Sequence, residues 1–294
     1  MSSTLLLYLH GIGDNIMLTG VLKEYKAKHP DEAIDLVVLN SACAAVWRGN
    51  PFVRSIHIYP YPQPHFWNPV EFRLRSVRRA RSYAHRLVCE HSYDRVLFPT
   101  IQTLPEILYH LTGAYGPHKV PRIARDMGLE SKLYPYDLYS SSEEKARAAA
   151  FREKLHQPFA VIHPFAGHAV KQMSSRSMRE TLDLVRRKEL TAVVVGSEGE
   201  RARMDSAWNA QMAFGWSFGE LVELLKLASL FVGTDSAVAH LAGFANTPKI
   251  VVFSPKLKPE RYAPVSETTK VAFVYTARGS ETESIARLRS LISQ

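Results

Sequence analysis

Three segments of this 294-residue chain bring carboxylates, a lysine, hydroxyls and glycines to the ends of apolar runs. The first, His10-Gly11-Ile12-Gly13-Asp14-Asn15, follows one apolar run and opens a helical one. Gly11 and Gly13 at such a turn admit a ligand, or its phosphate, close to the backbone and free helix N-terminal N–H groups for an anion. The third glycine of a dinucleotide fingerprint is replaced by Ile16, and no Gly-Lys-Ser/Thr follows, so neither that motif nor a P-loop is present. Asp14 has two readings here: a helix cap, or a general base at the mouth of a cleft.

The second segment, His163-Pro164-Phe165-Ala166-Gly167 with Lys171 and Ser174-Ser175 downstream, could cradle a diphosphate through backbone N–H groups, hydroxyls and one point charge. Its plainer reading is a loop with a solvated lysine. The third, Gly233-Thr234-Asp235-Ser236-Ala237-Val238-Ala239-His240-Leu241-Ala242-Gly243, is the most specific. A strand ends at Gly233, and Thr234, Asp235 or Ser236 caps a helix of small residues whose start favours a phosphate. His240 lies one turn on, on the face of Ser236.

The elements that must carry these segments alternate short apolar runs with helical stretches, the pattern of parallel α/β layers. In the first half, strands are expected at 5–9, 33–39, 54–59 and 94–98, with helices at 15–29, 42–48, 69–91 and 104–112. Periodicity stops around 133–142, and Ser142 is read as the cap of the next helix, with Glu144 in its first turn. A second series follows: strands at 159–163, 191–195, 230–232 and 249–253, and helices at 177–188, 200–208, 218–226 and 236–244. The last segment, SETESIARLRSLISQ, is amphipathic. The expected division is 1–138 and 139–294, two α/β domains with a cleft between them for a ligand. The Pro-rich segment 59–69 reads as a surface loop.

Apolar residues make up 46% and charged residues 22% of the chain, which excludes disordered, fibrous and membrane-spanning classes. Cys43 and Cys89 are too few for a disulfide scaffold or a Cys-rich zinc site, and the N-terminus reads as a first strand rather than a signal peptide. A cytoplasmic protein is expected. The excess of 37 Lys and Arg over 28 Asp and Glu favours an anionic partner. Nucleic acid is disfavoured, because the arginines crowd one helix with no interleaved aromatic platform.

Taken in order, Gly13-Asp14, His163-Pro164-x-x-Gly167 with Lys171, Gly196-x-x-x-Glu200 and Asp235-Ser236-x-x-x-His240-Leu241-Ala242 resemble glycosyltransferase family 9, the lipopolysaccharide heptosyltransferases. The resemblance spans nearly the whole chain. It implies a GT-B-type α/β fold: two Rossmann-like, doubly wound domains facing across a cleft, the acceptor on the first and the nucleotide sugar on the second. The last helix, about 281–293, is then expected to pack back on the first domain. It further implies inverting, metal-independent transfer from ADP-heptose, with no resident cofactor. Asp14 matches the base, Lys171 the lysine that balances the diphosphate, and Glu200 the acid near the nucleoside, with Glu198 as its substitute. Asp235, Ser236 and His240 match the donor-binding helix start, beside Thr234, His163 and Gly167. The chain departs from the pattern at Gln172-Met173, where a tryptophan is frequent, and at Ala237-Val238, where glycine is usual.

Arg73, Arg78 and Arg79, with Arg75, Arg81 and Arg86, crowd the helix at 69–91, whose Phe72, Ala80, Ala84 and Leu87 can face the sheet. Two readings compete: a site for an anionic glycan or glycolipid acceptor, with peripheral contact at the inner membrane face, or a solvated charged surface. Two other functions also stay open, a GT-B-fold nucleotide-sugar epimerase or hydrolase and a non-catalytic nucleotide-sugar binding protein.

Overall fold

The computed structural model of the chain describes residues 2–61, 69–99, 118–167, 169–245, 247–253, 259–273 and 281–293, with the backbone alone at 69–77, 170, 206, 272 and 273. The helix expected at 104–112 and most of the Pro-rich loop lie outside the described residues. Two compact units are present, Met1–Tyr139 and Ser140–Gln294.

In the first unit, β1 (Ser3–Tyr8), β2 (Ala33–Val38), β3 (Ser55–Ile58) and β4 (Arg95–Leu97) form a parallel sheet in the order β3-β2-β1-β4. Parallel strands are covered on both faces, which is why β1 and β2 read as unbroken apolar runs. Leu5, Leu7 and Val37 pack with Ala84 and Leu87 of α3 (Pro69–His91), while Leu6 and Leu36, pointing the other way, are equally buried. Among the described residues the other helices are α1 (Ile12–Lys28), α2 (Ser41–Ala45) and α4 (Lys119–Asp126), and α1 packs against both α2 and α4. A Cβ at Gly20 of α1 would overlap the Pro135 carbonyl, so only glycine lets the helix pass there.

In the second unit, β5 (Phe159–His163), β6 (Thr191–Gly196), β7 (Gln211–Phe214), β8 (Leu230–Thr234), β9 (Lys249–Phe253) and β10 (Thr269–Phe273) form a six-stranded sheet, all neighbours parallel. The order β10-β9-β8-β5-β6-β7 is the doubly wound Rossmann order. Its helices are α5 (Ser142–Glu153), α6 (Ser175–Arg187), α7 (Glu198–Arg201), α8 (Phe218–Leu227), α9 (Ala237–Leu241), α10 (Pro259–Tyr262) and α11 (Glu281–Ser293).

Several expectations are corrected. Ser141, not Ser142, caps α5, because a capping box needs the acid three residues after the cap and Glu144 supplies it. The helix expected at 200–208 is a single turn, α7, followed by a 3₁₀ turn at Ser206–Trp208. Strands β7 and β10 were not legible: each is a short edge strand, which needs no long apolar run. Apart from these corrections, the last helix buries its apolar side in the core of the second unit. Leu288, Leu291 and Ile292 of α11 join the core that holds Ile162, Val194 and Val232, and α11 packs on α6 and β10.

Candidate active site

In doubly wound sheets, ligands bind beyond the carboxyl ends of the strands at the point where strand order reverses. In the first sheet that point is the end of β1, flanked by β2 and β4; in the second it is the end of β5, flanked by β6 and β8. All three segments singled out by chemistry emerge at these two points.

At the first, Gly11 is the N-cap of α1 with no side-chain bond, and open space surrounds its Cα. Asp14 is therefore the third helical residue and not the cap. Its carboxylate lies in the first turn, where it complements the helix dipole. Its Oδ1 is 2.8 Å from Lys119 Nζ and its Oδ2 is 3.8 Å from His10 Nδ1. Asn15 holds the turn rigid: its Nδ2 donates to the carbonyls of His10 and Gly11, and its Oδ1 accepts from Trp47 Nε1. Cys43 of α2 donates to the His10 carbonyl; burial, with the Asp14 charge adding, pushes its thiol up to about 11 against a lowering bond from Asn40, so it stays protonated.

At the second point, Lys171 Nζ is 2.8 Å from Asp235 Oδ2. The Asp235 side chain is 8% exposed and that of Lys171 26%, so the pair is anchored inside and presents its cationic end outward. Ser236 Oγ and His163 Nδ1 are 3.0 Å apart, and His163 Nε2 is 3.9 Å from Glu200 Oε2. Thr234 is buried and donates to the Phe165 carbonyl, tying the end of β8 to the loop after β5. Gly167 is exposed with open space around it, and His240 is buried in α9.

Glu200 is held by its own turn: Ser197 N and Oγ both donate to its Oε2, a capping box for α7. Burial alone would raise its carboxyl, but bonding from His163 and Ser197 prevails and holds it at about 2. A Cβ at Gly196 would come 2.8 Å from the Phe214 ring and 3.2 Å from Glu200 Oε2, so the glycine of Gly196-x-x-x-Glu200 makes room for that carboxylate. Glu198 points elsewhere, forming a surface pair with Arg201.

The structure thus joins Lys171 with Asp235, and Ser236 with His163 and Glu200. α9 has only five residues before a 3₁₀ turn at Ala242–Phe244, so the charge for an anion at this edge comes from Lys171 rather than from a long helix dipole. On α3, Arg78 and Arg79 are exposed while Ala80, Ala84 and Leu87 are buried; the side chain of Arg73 lies outside the described residues. Arg86 is engaged with tyrosines, donating to Tyr61 and lying over the Tyr83 ring. Lys119 was missed. A signal was present, since a lysine in the first turn of a helix opposes the dipole unless a carboxylate lies opposite. Among the described residues no group of three or more His, Cys, Asp and Glu could hold a metal ion.

Two parallel α/β units, each with polar side chains gathered at its switch point, define a protein of GT-B type. The family model for glycosyltransferase family 9 (heptosyltransferase) matches residues 117–288. The chain belongs to that family and is a glycosyltransferase, which disfavours the epimerase, hydrolase and non-catalytic readings. It is 21% identical to lipopolysaccharide heptosyltransferase 3 of Escherichia coli (strain K12), over 82% of this chain and 79% of that protein. It shares its fold with a glycosyl transferase family 9 protein of Veillonella parvula DSM 2008 (TM-score 0.72, 14% identity, 99% of this chain and 97% of that one). It shares it also with ADP-heptose lipopolysaccharide heptosyltransferase II of E. coli (TM-score 0.67, 17% identity, 100% and 99%). No helix among the described residues is long and apolar enough to cross a membrane.

Proposed function

We propose that the chain transfers heptose from ADP-heptose to a lipopolysaccharide-core acceptor with inversion, using neither a metal ion nor a resident cofactor. The observation that carries this reading is the Lys171–Asp235 pair at the switch point of the second sheet, inside the segment matched by the family model. The acceptor hydroxyl oxygen attacks the anomeric carbon while the bond from that carbon to the diphosphate oxygen breaks, its electron pair leaving with ADP. Asp14 takes the hydroxyl proton. Lys171 stabilises the charge that develops on the departing phosphate, the task a divalent cation performs in other transferases. Gly11 and Gly13 let the substrate approach the backbone; Gly167, Thr234, Asp235, Ser236 and His240 line the donor seat. Glu200, with His163 between it and Ser236, lies on the nucleoside side. The basic face of α3 attracts the anionic acceptor, with any membrane contact peripheral.

Thermal unfolding with ADP, UDP, GDP and their sugar conjugates tests the donor: a ligand at about 100 times its Kd adds about 2.7 kcal/mol to the native state. ADP and ADP-heptose should raise Tm most. Product analysis tests the reaction. ADP release that depends on acceptor, and survives EDTA, supports metal-independent transfer; release without acceptor means hydrolysis, and loss with EDTA means a metal takes part.

A further inference from the structure

We propose that His163 is the positioning residue of Ser236: its neutral ring fixes that hydroxyl as a hydrogen-bond acceptor, so Ser236 recognises a sugar hydroxyl of the nucleotide sugar and not its phosphate. The inference rests on the reading of this edge of the second sheet as the donor seat. His163 ends β5 and pairs in register with Gly233 of β8, which sets the ring beside the turn at 234–236. The ring is buried, with Nδ1 3.0 Å from Ser236 Oγ and Nε2 3.9 Å from Glu200 Oε2. Phe165 meets it edge to face, the ring centres 5.9 Å apart. Ser236 is half-buried and is the N-cap residue of α9, yet its side chain makes no cap bond; Oγ turns to the imidazole instead.

A neutral imidazole carries one proton, and what faces each nitrogen decides which one holds it. Burial raises the Glu200 carboxyl, but its contacts with His163 and Ser197 outweigh that and hold it at about 2, so a carboxylate faces Nε2. At 3.9 Å the two do not bond directly, yet the negative charge attracts a ring N–H across that gap and repels a ring lone pair. The proton therefore sits on Nε2, and Nδ1 accepts the Ser236 O–H. Ser236 has then directed its proton inward, and it offers a ligand lone pairs. Ionised phosphate oxygens also carry only lone pairs and gain nothing from such a group, whereas a hydroxyl donates to it. Thr234 has the same polarity, its hydroxyl donating to the Phe165 carbonyl at 2.6 Å. Phosphate charge is met by Lys171, held 2.8 Å from Asp235 Oδ2, and the ribose and the transferred sugar both carry hydroxyls that suit Ser236.

The test is calorimetric titration of the full chain at pH 8 with pyrophosphate, ADP and ADP-heptose. The proteins are wild type, Ser236→Ala, His163→Leu, His163→Asn and the Ser236→Ala/His163→Leu double variant. Ser236→Ala should weaken a sugar-bearing ligand about three- to tenfold, the scale of one neutral hydrogen bond, and leave pyrophosphate within about twofold. Equal losses for ADP and ADP-heptose place the hydroxyl on the ribose; a loss for ADP-heptose alone places it on the transferred sugar. His163→Leu should reproduce the loss while pyrophosphate affinity holds or rises, and the double variant should lose no more than either single one. His163→Asn, whose Oδ1 takes the place of Nδ1, should restore wild-type affinities. A loss in Ser236→Ala shared equally by pyrophosphate, or no loss for any of the three ligands, overturns the proposal. So does a His163→Asn protein that behaves like His163→Leu. A wild-type chain that binds neither ADP nor ADP-heptose overturns the donor reading itself and this inference with it.

Discussion

Lys171 and Asp235, 64 residues apart, meet with Nζ 2.8 Å from Oδ2 at the edge of the second sheet. Asp235 is fixed from below, its backbone N–H donating to the Val252 carbonyl of β9. The carboxylate therefore holds the lysine in one place before any donor arrives. An ammonium has three donors, so Lys171 can keep Asp235 and still bind a phosphate.

Lys171→Ala should weaken ADP binding about 10–100-fold, the scale of one charge-assisted bond of about 1.5–3 kcal/mol. It should also lower Tm, because Asp235 is left buried without its cation. The Lys171→Ala/Asp235→Asn double variant should recover stability but not ADP affinity. Calorimetric titration with ADP and thermal unfolding of the three proteins read both effects; unchanged ADP affinity in the single variant would remove Lys171 from the donor seat.

The exposed arginines of α3 should act through long-range charge. Reversing two of them, Arg78→Glu with Arg79→Glu, should raise acceptor KM several-fold at low salt and leave donor KM unchanged. The effect should shrink as ionic strength passes about 0.1 M, where the Debye length is about 10 Å. An unchanged acceptor KM at low salt returns these arginines to the status of a solvated surface.

Acid stability should depend on Asp35 of β2. Burial favours its neutral form, but bonds from Arg54, Tyr93 and Ser55 outweigh that and hold the carboxyl at about 2. A folded value below the unfolded one means that the stabilisation is complete above the unfolded value of about 4 and is lost as pH falls toward 2. A shift of that size corresponds to about 2–3 kcal/mol. Asp35→Asn should therefore be less stable than wild type at pH 7, and the difference should narrow steadily below about pH 4 in denaturant titrations. A difference that stays constant down to pH 2 would contradict this account.

Much of the fold could be read from the chain because doubly wound sheets leave strong marks: unbroken apolar strands, amphipathic helices and glycine turns at strand ends. Those marks located β1, β5 and β8 and thus both switch points. What escaped was set by partners distant in sequence. Lys119 has meaning only opposite Asp14, and the apolar stripe of α11 fits any apolar surface, so it is α6 and β10 that show where it is buried. The cap of α5 was misplaced by one residue although Ser141-x-x-Glu144 was in plain view. The same Ser-x-x-Glu spacing at Ser197 and Glu200 gives Glu200 a structural duty that its resemblance-based role did not suggest.

The proposed transfer chemistry depends most directly on Asp14. In a transfer assay with ADP-heptose and core acceptor, Asp14→Asn and Asp14→Ala should lower kcat by about 10²–10⁴-fold, the scale of a lost general base, while the Kd for ADP stays within a few-fold of wild type. Near-normal turnover in either variant would contradict the proposed chemistry, because another group or solvent would then be removing the acceptor's proton.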